Sequence, residues 1–382
     1  MRLIWIYWLW LVPAVFLSTS VSSATPKSNN EKLHLLVISS YHREYLWSQD
    51  THRGLVDALI KFNYLDSKQQ AETFTNTDRV TSTRAVIHKL WMDTKRKNTI
   101  KEIHQTVNRI MSFIEQFKPS LVLLGDDNAT NYIGNQLLDT ETPVVFWGVN
   151  GYPVKYGLLD SIERPGHNVT GIYQAGYLKE GVDYLHKLLP DLKTFAVLSD
   201  DSPTGRSKAK EIKYLATTGD LPLKLVDTVI TGSLKEWQEQ ALALQKQVDA
   251  FFILNHHTLK DNQNKSVDPL AVGSWYLEHI KRPDVAHERQ FVEAGILAAV
   301  DDSGYKQAFE AMHVAHRILQ GESPATIRVY APERGARLLN RKRAAMLGYS
   351  ALEKNNALVE EYIEHAHAMT AKTAALQKSH TQ

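Results

Sequence analysis

The chain of 382 residues contains no cysteine. That absence excludes a disulfide framework, a thiolate metal site and a cysteine nucleophile. A lipid-anchored bacterial protein also needs a cysteine at its cleavage site, so that class is excluded too. Excess charge is missing as well: 44 Lys+Arg against 42 Asp+Glu leave a formal charge of +2. Such a balance gives no electrostatic footprint for nucleic acid. No segment after the N-terminal one is apolar and long enough to span a bilayer. Neither a GxSxG elbow nor a P-loop occurs, so no nucleophile or phosphate cradle is marked.

What the N-terminus does contain sets an expected compartment. Arg2 supplies a positive start, Leu3 to Leu17 an apolar core interrupted by Pro13, and Ser22-Ser23-Ala24 a small-residue cleavage site. This layout is that of a secretory signal peptide cleaved after Ala24, which places the mature protein in the periplasm. The apolar run stops short of the about 20 residues that a membrane anchor needs.

The rest alternates strand and helix patterns. Strands are expected at Leu33–Ser40, Leu121–Leu124, Val144–Trp147, Val169–Tyr173, Phe195–Ser199, Leu223–Val229, Phe251–Leu254 and Ile296–Val300. Helices are expected near Ser48–Phe62, Thr99–Phe117, Lys179–Leu189, Gly205–Thr217, Leu234–Gln247 and Tyr305–Leu319. In Thr99–Phe117, Ile100, Ile103, Val107, Ile110, Met111 and Ile114 recur on one helical face. Such βαβα alternation implies an α/β fold of parallel sheets with helices on both faces. The Pro165-Gly166 loop divides the pattern into two lobes. Residues 33–150 form the first, with about 303–325 crossing back to it; 165–302 form the second, joined by about 327–348. Lys68 to Arg84, polar and charged, reads as an exposed loop, and Leu352–Gln377 as a solvated closing helix within a 352–382 tail.

In doubly wound sheets the strand carboxyl ends share one rim, where ligands bind. Past the expected strands lie Ser39, Ser40 and Tyr41; Asp126, Asp127 and Asn128; Asn150 and Gly151. The second half adds Tyr173 and Gln174; Asp200, Asp201 and Ser202; Asn255, His256 and His257; Asp301 and Asp302. If the lobes face each other, these groups converge on one cleft and fix a small ligand. Each can equally cap the helix that follows it. The chemistry suits a zwitterion: helix N-termini after Asn128 and Ser202 for a carboxylate, and Asp126, Asp127, Asp200 or Asp301 for an ammonium. Tyr41, Trp47 and Tyr173 can enclose an apolar side chain. His256-His257 are adjacent and point to opposite sides of a strand end, which does not make a metal pair. No cofactor is implied.

At these residues the chain resembles the ABC-transporter substrate-binding family that includes tryptophan- and tyrosine-type uptake proteins. The resemblance covers about Leu33 to Gly348. It includes SSYHREYLWSQDTHRGL, MDTKR at Met92–Arg96, GDDNAT, PVVFWGVN, RPGHNVTGI and DDSGYKQAFEAMHVAHRILQGESP. The PGHNVTGI block is the most specific, with His167 where the family usually has Gly. The first block also resembles extracytoplasmic sensor modules of histidine kinases and diguanylate cyclases. The resemblance implies a two-lobed, type I periplasmic-binding-protein-like clamshell with three hinge crossings. It carries ligand contact to Ser40, Tyr41, Asp127, Asn128, Asn150, Tyr173 and Gln174, and further to Asp201 and Asn255. The expected function is capture of a small organic ligand, such as an amino acid, and its delivery to an ABC permease by a monomer. Two alternatives stay open: a ligand-binding subunit reporting to a membrane sensor, and a periplasmic hydrolase using paired carboxylates.

Overall fold

Runs such as LHLLVIS and LVLLG show no apolar–polar alternation, so the strands they form need cover on both faces. The computed structural model describes residues 31–150, 152–354 and 356–367. The expected signal peptide with its Ala24 cleavage site, Gly151, and the chain beyond 367 lie outside the described residues. From Leu33 the elements are β1 Leu33–Ser39, α1 Leu46–Lys61, α2 Lys68–Thr77, β2 Arg79–Thr81, β3 Ala85–Trp91, α3 Ile100–Phe117, β4 Leu121–Gly125, α4 Asp126–Tyr132, α5 Gly134–Leu137, β5 Val144–Asn150 and β6 Val169–Gln174. There follow α6 Leu178–Leu188, β7 Thr194–Asp200, α7 Pro203–Thr218, β8 Lys224–Thr231, α8 Leu234–Leu244, β9 Ala250–Asn255, α9 Pro269–His279, β10 Asp284–Ala286, α10 Arg289–Ala294 and β11 Ala298–Val300. The chain ends with α11 Gly304–Leu319, β12 Arg337–Asn340, α12 Arg341–Met346, α13 Ser350–Glu353 and β13 Glu361–Ile363.

The strands make two separate sheets, ordered β2-β3-β1-β4-β5-β6 and β13-β12-β11-β10-β9-β7-β8. Pairing is parallel except for β2 with β3 and β11 with β12. Both sheets are covered on both faces. On the first, Leu55, Leu59 and Phe74 of α1 and α2 pack with Met312 of α11, and Ile103, Val107, Ile110 and Ile114 of α3 cover the reverse. Thr99 and Glu102 start α3 with a reciprocal capping box, which satisfies two otherwise unpaired N–H groups. Ile100, expected on the buried face, is 70% exposed because it sits at the first helical position, ahead of the packed turns.

The chain passes between the sheets after Gln174, after Val300 and after Tyr330. These passages are tied together. The Gly176 N–H donates to Asp302 Oδ2 at 2.7 Å, Tyr177 OH to the Pro332 carbonyl at 2.7 Å, and Lys306 Nζ to the Arg334 carbonyl at 2.8 Å. Gly176 has φ +87°, and a Cβ there would fall 2.7 Å from the buried Lys208 Nζ, so glycine is required.

Three expectations need correction. Lys68–Arg84 is not a loop but α2 followed by the edge strand β2. Ser67 caps α2, and Ala71 and Phe74, three apart, give it a narrow buried stripe that its polar composition masks. Val169–Gln174 does not open the second lobe. It pairs in parallel with β5, Val144 opposite Val169, and so forms the edge of the first sheet. The closing helix expected from Leu352 is, within the described residues, one short turn and then β13. That segment extends the second sheet beside β12, with Glu361 paired to Arg289 at 2.6 Å and Glu360 to Arg334 at 2.7 Å.

The second lobe holds a buried ion pair. Arg343 of α12 donates to Asp284 Oδ2 from Nε at 3.1 Å and from a terminal nitrogen at 2.5 Å. Asp284 Oδ1 accepts the Leu297 N–H at 2.6 Å, so the pair joins β10, α12 and the start of β11. The side chains are 1% and 0% exposed. Arg343→Met strands a buried carboxylate and is expected to cost about 3–5 kcal/mol. Urea unfolding measures it, and adding Asp284→Asn should recover much of the loss. A single variant as stable as the parent would refute the assignment.

Candidate functional site

Just past β1, Tyr41, Tyr45 and Trp47 bury together as an aromatic cluster, with the first two rings edge-on at 5.1 Å. Lys95, in the turn after β3, places Nζ 4.5 Å from the Tyr41 ring centre and 5.2 Å from that of Tyr45. Ring faces attract a cation but do not neutralise it. Among the described residues no carboxylate forms an ion pair with Lys95. Burial lowers its pKa, while Asp200, Glu288, Asp126 and Asp127 act to raise it.

Trp47 Nε1 donates to Asp126 Oδ1 at 2.7 Å. Burial pushes the Asp126 carboxyl well above its ordinary value, and the Trp47 hydrogen bond acts against this. The approach depends on Gly148, which interrupts β5 at φ +72°: a Cβ there would lie 2.4 Å from Asp126 Oδ1. The same irregularity shifts the β5–β6 register between Phe146 and Val149, and Asn150 ends up opposite Gln174. Both are buried, and Asn150 Oδ1 and Gln174 Oε1 have no hydrogen-bond partner. Asn150 Nδ2 donates to Asp127 Oδ2 at 2.7 Å, which fixes the orientation of that amide.

The second lobe supplies Asn255 from the end of β9, His287 and Glu288 from the turn after β10, and Gln290 and Phe291 from the first turn of α10. Burial works to raise the Glu288 pKa, but His287 and Gln290 outweigh it and leave it below the usual carboxylate value. Together with Tyr41, Tyr45, Trp47, Lys95, Asp126, Asn150 and Gln174, these residues enclose a central cavity of about 20 Å³. That is room for about one water. Tyr41, Lys95 and Thr204 also line a cleft mouth of 660 Å³ that includes Asn128, Asp201, Ser202 and Thr258. Tyr45, Lys95 and Gln290 also line an apolar chamber of 420 Å³ between residues 42–46 and 266–270. Across the cleft, Tyr45 Oη and His257 Nδ1 are hydrogen-bonded at 2.5 Å, and the His257 ring stacks on Phe291 at 5.1 Å. The lobes are therefore closed against each other.

A family signature described as ABC transporter substrate binding protein matches residues 92–361. The chain belongs to that family. A tyrosine-binding protein of Clostridioides difficile is 23% identical over 216 residues, which span 56% of this chain and 60% of that relative's length. Among solved structures, a ligand-free, open substrate-binding protein with adhesive properties from Clostridium difficile shares 19% identity at a TM-score of 0.63, covering 87% of this chain and 99% of its own. An L-Trp complex from Streptococcus pneumonia shares 18% identity at 0.63, covering 87% and 100%. A conserved domain protein from Vibrio cholerae shares 17% at 0.64, also covering 87% and 100%. These likenesses show the fold: a two-lobed α/β clamshell of the type I periplasmic-binding class.

Of the residues expected to bind ligand, this substrate-binding protein brings Tyr41, Asn150, Gln174 and Asn255 to the central cavity. Asp127, Asn128 and Asp201 line the outer mouth. Asp127 is already engaged by Asn150, Tyr156 and Lys155. Asn128 donates to Thr94 at 2.8 Å, and Asp201 pairs with Arg206 at 2.8 Å on the surface. Ser40 is a cap: its hydroxyl donates to the Gly125 carbonyl and accepts the Ala129 N–H of α4. Tyr173 is a correction. It lies on β6 of the first sheet, not on the second lobe, and packs into that sheet's apolar cluster, because side chains alternate along a strand and Gln174 takes the cleft face.

Sequence reasoning omitted Tyr45, Lys95, His287, Glu288, Gln290 and Phe291 from the ligand-binding set. Lys95 stood within MDTKR, a stretch noted only for resemblance. His287 and Glu288 obey the strand-end rule, but β10 has three residues and begins with Asp, too short a pattern to register. Among the described residues no cluster of His, Cys, Asp and Glu could hold a metal ion.

In the Tyr45–His257 bond Nδ1 accepts or donates according to the tautomer of a neutral imidazole. Burial lowers the His257 pKa well below its ordinary 6.5 and that of His256 to about 4; His256, Lys95, His287 and His42 also disfavour charge on His257. At these two histidines the closed form thus binds fewer protons than an open form with hydrated imidazoles. Their contribution to closure is expected to be constant above about pH 6.5 and to weaken as pH falls below it. Tyr45→Phe should shift the equilibrium toward open by about 2- to 12-fold at neutral pH, the worth of one hydrogen bond. Spin-label distances across the cleft read both effects, and distances insensitive to acid and to the substitution would dismiss the latch.

Proposed function

We propose that this protein is the periplasmic solute-binding component of an ABC uptake system, and that it captures a zwitterionic amino acid between its lobes. The observation that carries the reading is the convergence of Lys95 Nζ with the unpaired oxygens of Asn150 and Gln174 on one cavity. A carboxylate neutralises the ammonium of Lys95, and a ligand ammonium gives the two amide oxygens their missing donor, with Asp126 and Glu288 nearby. Tyr41, Tyr45, Trp47 and Phe291 enclose the remaining surface. The relatives that bind tyrosine or hold L-Trp support this ligand class. Opening of the lobes admits the ligand, and the liganded closure is wider than the one described above, whose centre has room for about one water.

Binding fits better than hydrolysis. Asp126 and Asp127 do not share a substrate position, since Trp47 holds the first and Asn150 and Tyr156 the second. Asp301 accepts the Arg289 N–H at 2.9 Å, and Asp302 the Gly176 N–H at 2.7 Å, so the second pair serves the hinge. Delivery of the ligand inward would fall to a separate permease, the partner that membership of the substrate-binding family implies.

Titration calorimetry with L-tyrosine and L-tryptophan tests this reading. Lys95→Met is expected to weaken binding about 10- to 150-fold, the worth of one charged hydrogen bond. Tyr173→Ala should leave affinity unchanged. Binding of either amino acid with the same affinity in Lys95→Met would dismiss the carboxylate assignment.

A further inference from the structure

The apolar chamber beside the central cavity is left over by the preceding reading. It lies between the first-lobe segment 42–46 and the second-lobe segment 266–270, the latter being the turn that leads into α9. Leu46, Val267, Pro269, Leu270 and Ala294 supply its apolar wall. Its volume of 420 Å³ falls within the range of roughly 300–1,000 Å³ typical of small-molecule pockets. Tyr45, Lys95 and Gln290 line both this chamber and the central cavity, so the two spaces share a wall and the cationic group.

We infer that this chamber is the subsite for the ligand's side chain, and that the protein selects a zwitterion bearing a long apolar tail. The inference rests on the reading of Lys95 as the carboxylate partner. From a head group at Lys95, a tail can run toward the mouth or toward the chamber. The mouth is lined as much by polar groups, such as Asn98, Asp261 and Lys260, as by carbon, whereas the chamber wall is mostly carbon. Transfer of apolar surface out of water therefore directs the tail to the chamber. The two histidines on its wall, the buried His256 and the half-buried His257, are uncharged at neutral pH, which keeps that side compatible with a hydrocarbon. Because both lobes contribute walls, the tail is enclosed only when the lobes are closed. Its burial thus favours the closed state selectively, which is the differential contact a ligand-driven closure needs.

The test is calorimetry with a homologous series: L-alanine, L-norvaline, L-norleucine and the next two longer straight-chain L-amino acids. In the parent protein affinity is expected to rise about fourfold per added methylene through the whole series. Leu270→Asp, at a half-buried position, should flatten the rise while leaving alanine binding and thermal melting unchanged. Ala294→Phe adds bulk without charge and should stop the rise at norleucine. If members bind through Lys95 but affinity is flat with length, or the rise survives both substitutions, the chamber is not the tail subsite and only this inference falls. If no member binds the parent protein, and L-tyrosine and L-tryptophan also fail, the zwitterion reading falls with it.

Discussion

The two strand-end rims face each other only because three chain passages hold a fixed relation, and one carboxylate anchors that relation. Asp302 is 1% exposed; its Oδ2 accepts the Gly176 N–H from the first passage and its Oδ1 accepts Gln307 Nε2 from α11. The buried Lys208 Nζ lies 4.0 Å away and compensates part of the charge. Burial raises the Asp302 pKa, and Lys208 and the Gly176 hydrogen bond act against it. A group so placed belongs to both lobes at once, because Lys208 comes from α7 and Gln307 from α11. Every cleft contact described above depends on that common origin.

From this hinge the cleft follows as a consequence of topology. Parallel strands end together, so each sheet delivers polar turn residues to one edge. What the structure adds is a division of labour among them. Ser40, Asp127 and Asp200 spend their hydrogen bonds on their own lobes; Asp200, for example, accepts from Ser202 and from Thr258. Tyr41, Lys95, Asn150 and Gln174 keep capacity for something else. Buried polar atoms are seldom left without partners in folded proteins. Three such oxygens, of Asn150, Gln174 and Gln290, line one cavity beside a Lys95 ammonium that makes no ion pair among the described residues, and this is the part of the rim the proposed ligand would satisfy.

The architecture was legible where apolar runs were long. The runs at β1, β4, β5, β7 and β9 stood out because they are buried on both faces, and α3 stood out because its apolar stripe is wide. Legibility failed where the pattern was short or the decisive partner was distant in sequence. α2 buries two residues, β10 has three, and β13 is a strand only because β12 lies beside it. The sheet to which β6 belongs was set by its pairing with β5, which no local pattern reports. At the site, the strand-end rule found Asn150, Gln174 and Asn255 but could not tell a ligand contact from a cap. Ser40 and Asp127 look the same in sequence as residues left unpaired. Lys95 was invisible to that rule because it lies beyond the strand end, and its isolation from carboxylates is a property of three dimensions.

On the function proposed above, that isolation would be the physical reason for closure to respond to a ligand. Desolvating an ammonium costs several kcal/mol unless an opposite charge or strong acceptors compensate. In the closed lobes Lys95 has two aromatic faces and the field of Asp126, Asp200 and Glu288, of which Asp126 is itself pushed toward its neutral form. A carboxylate brought against Lys95 removes the uncompensated charge, and it does so fully only when the second lobe excludes water. The ligand ammonium then relieves the opposite deficiency at Asn150 and Gln174. Neither gain is available to a ligand held by one lobe in open water, where both groups are already hydrated. On the function proposed above, a zwitterion would therefore stabilise the closed state by more than the open one, and that difference would set how far the equilibrium moves.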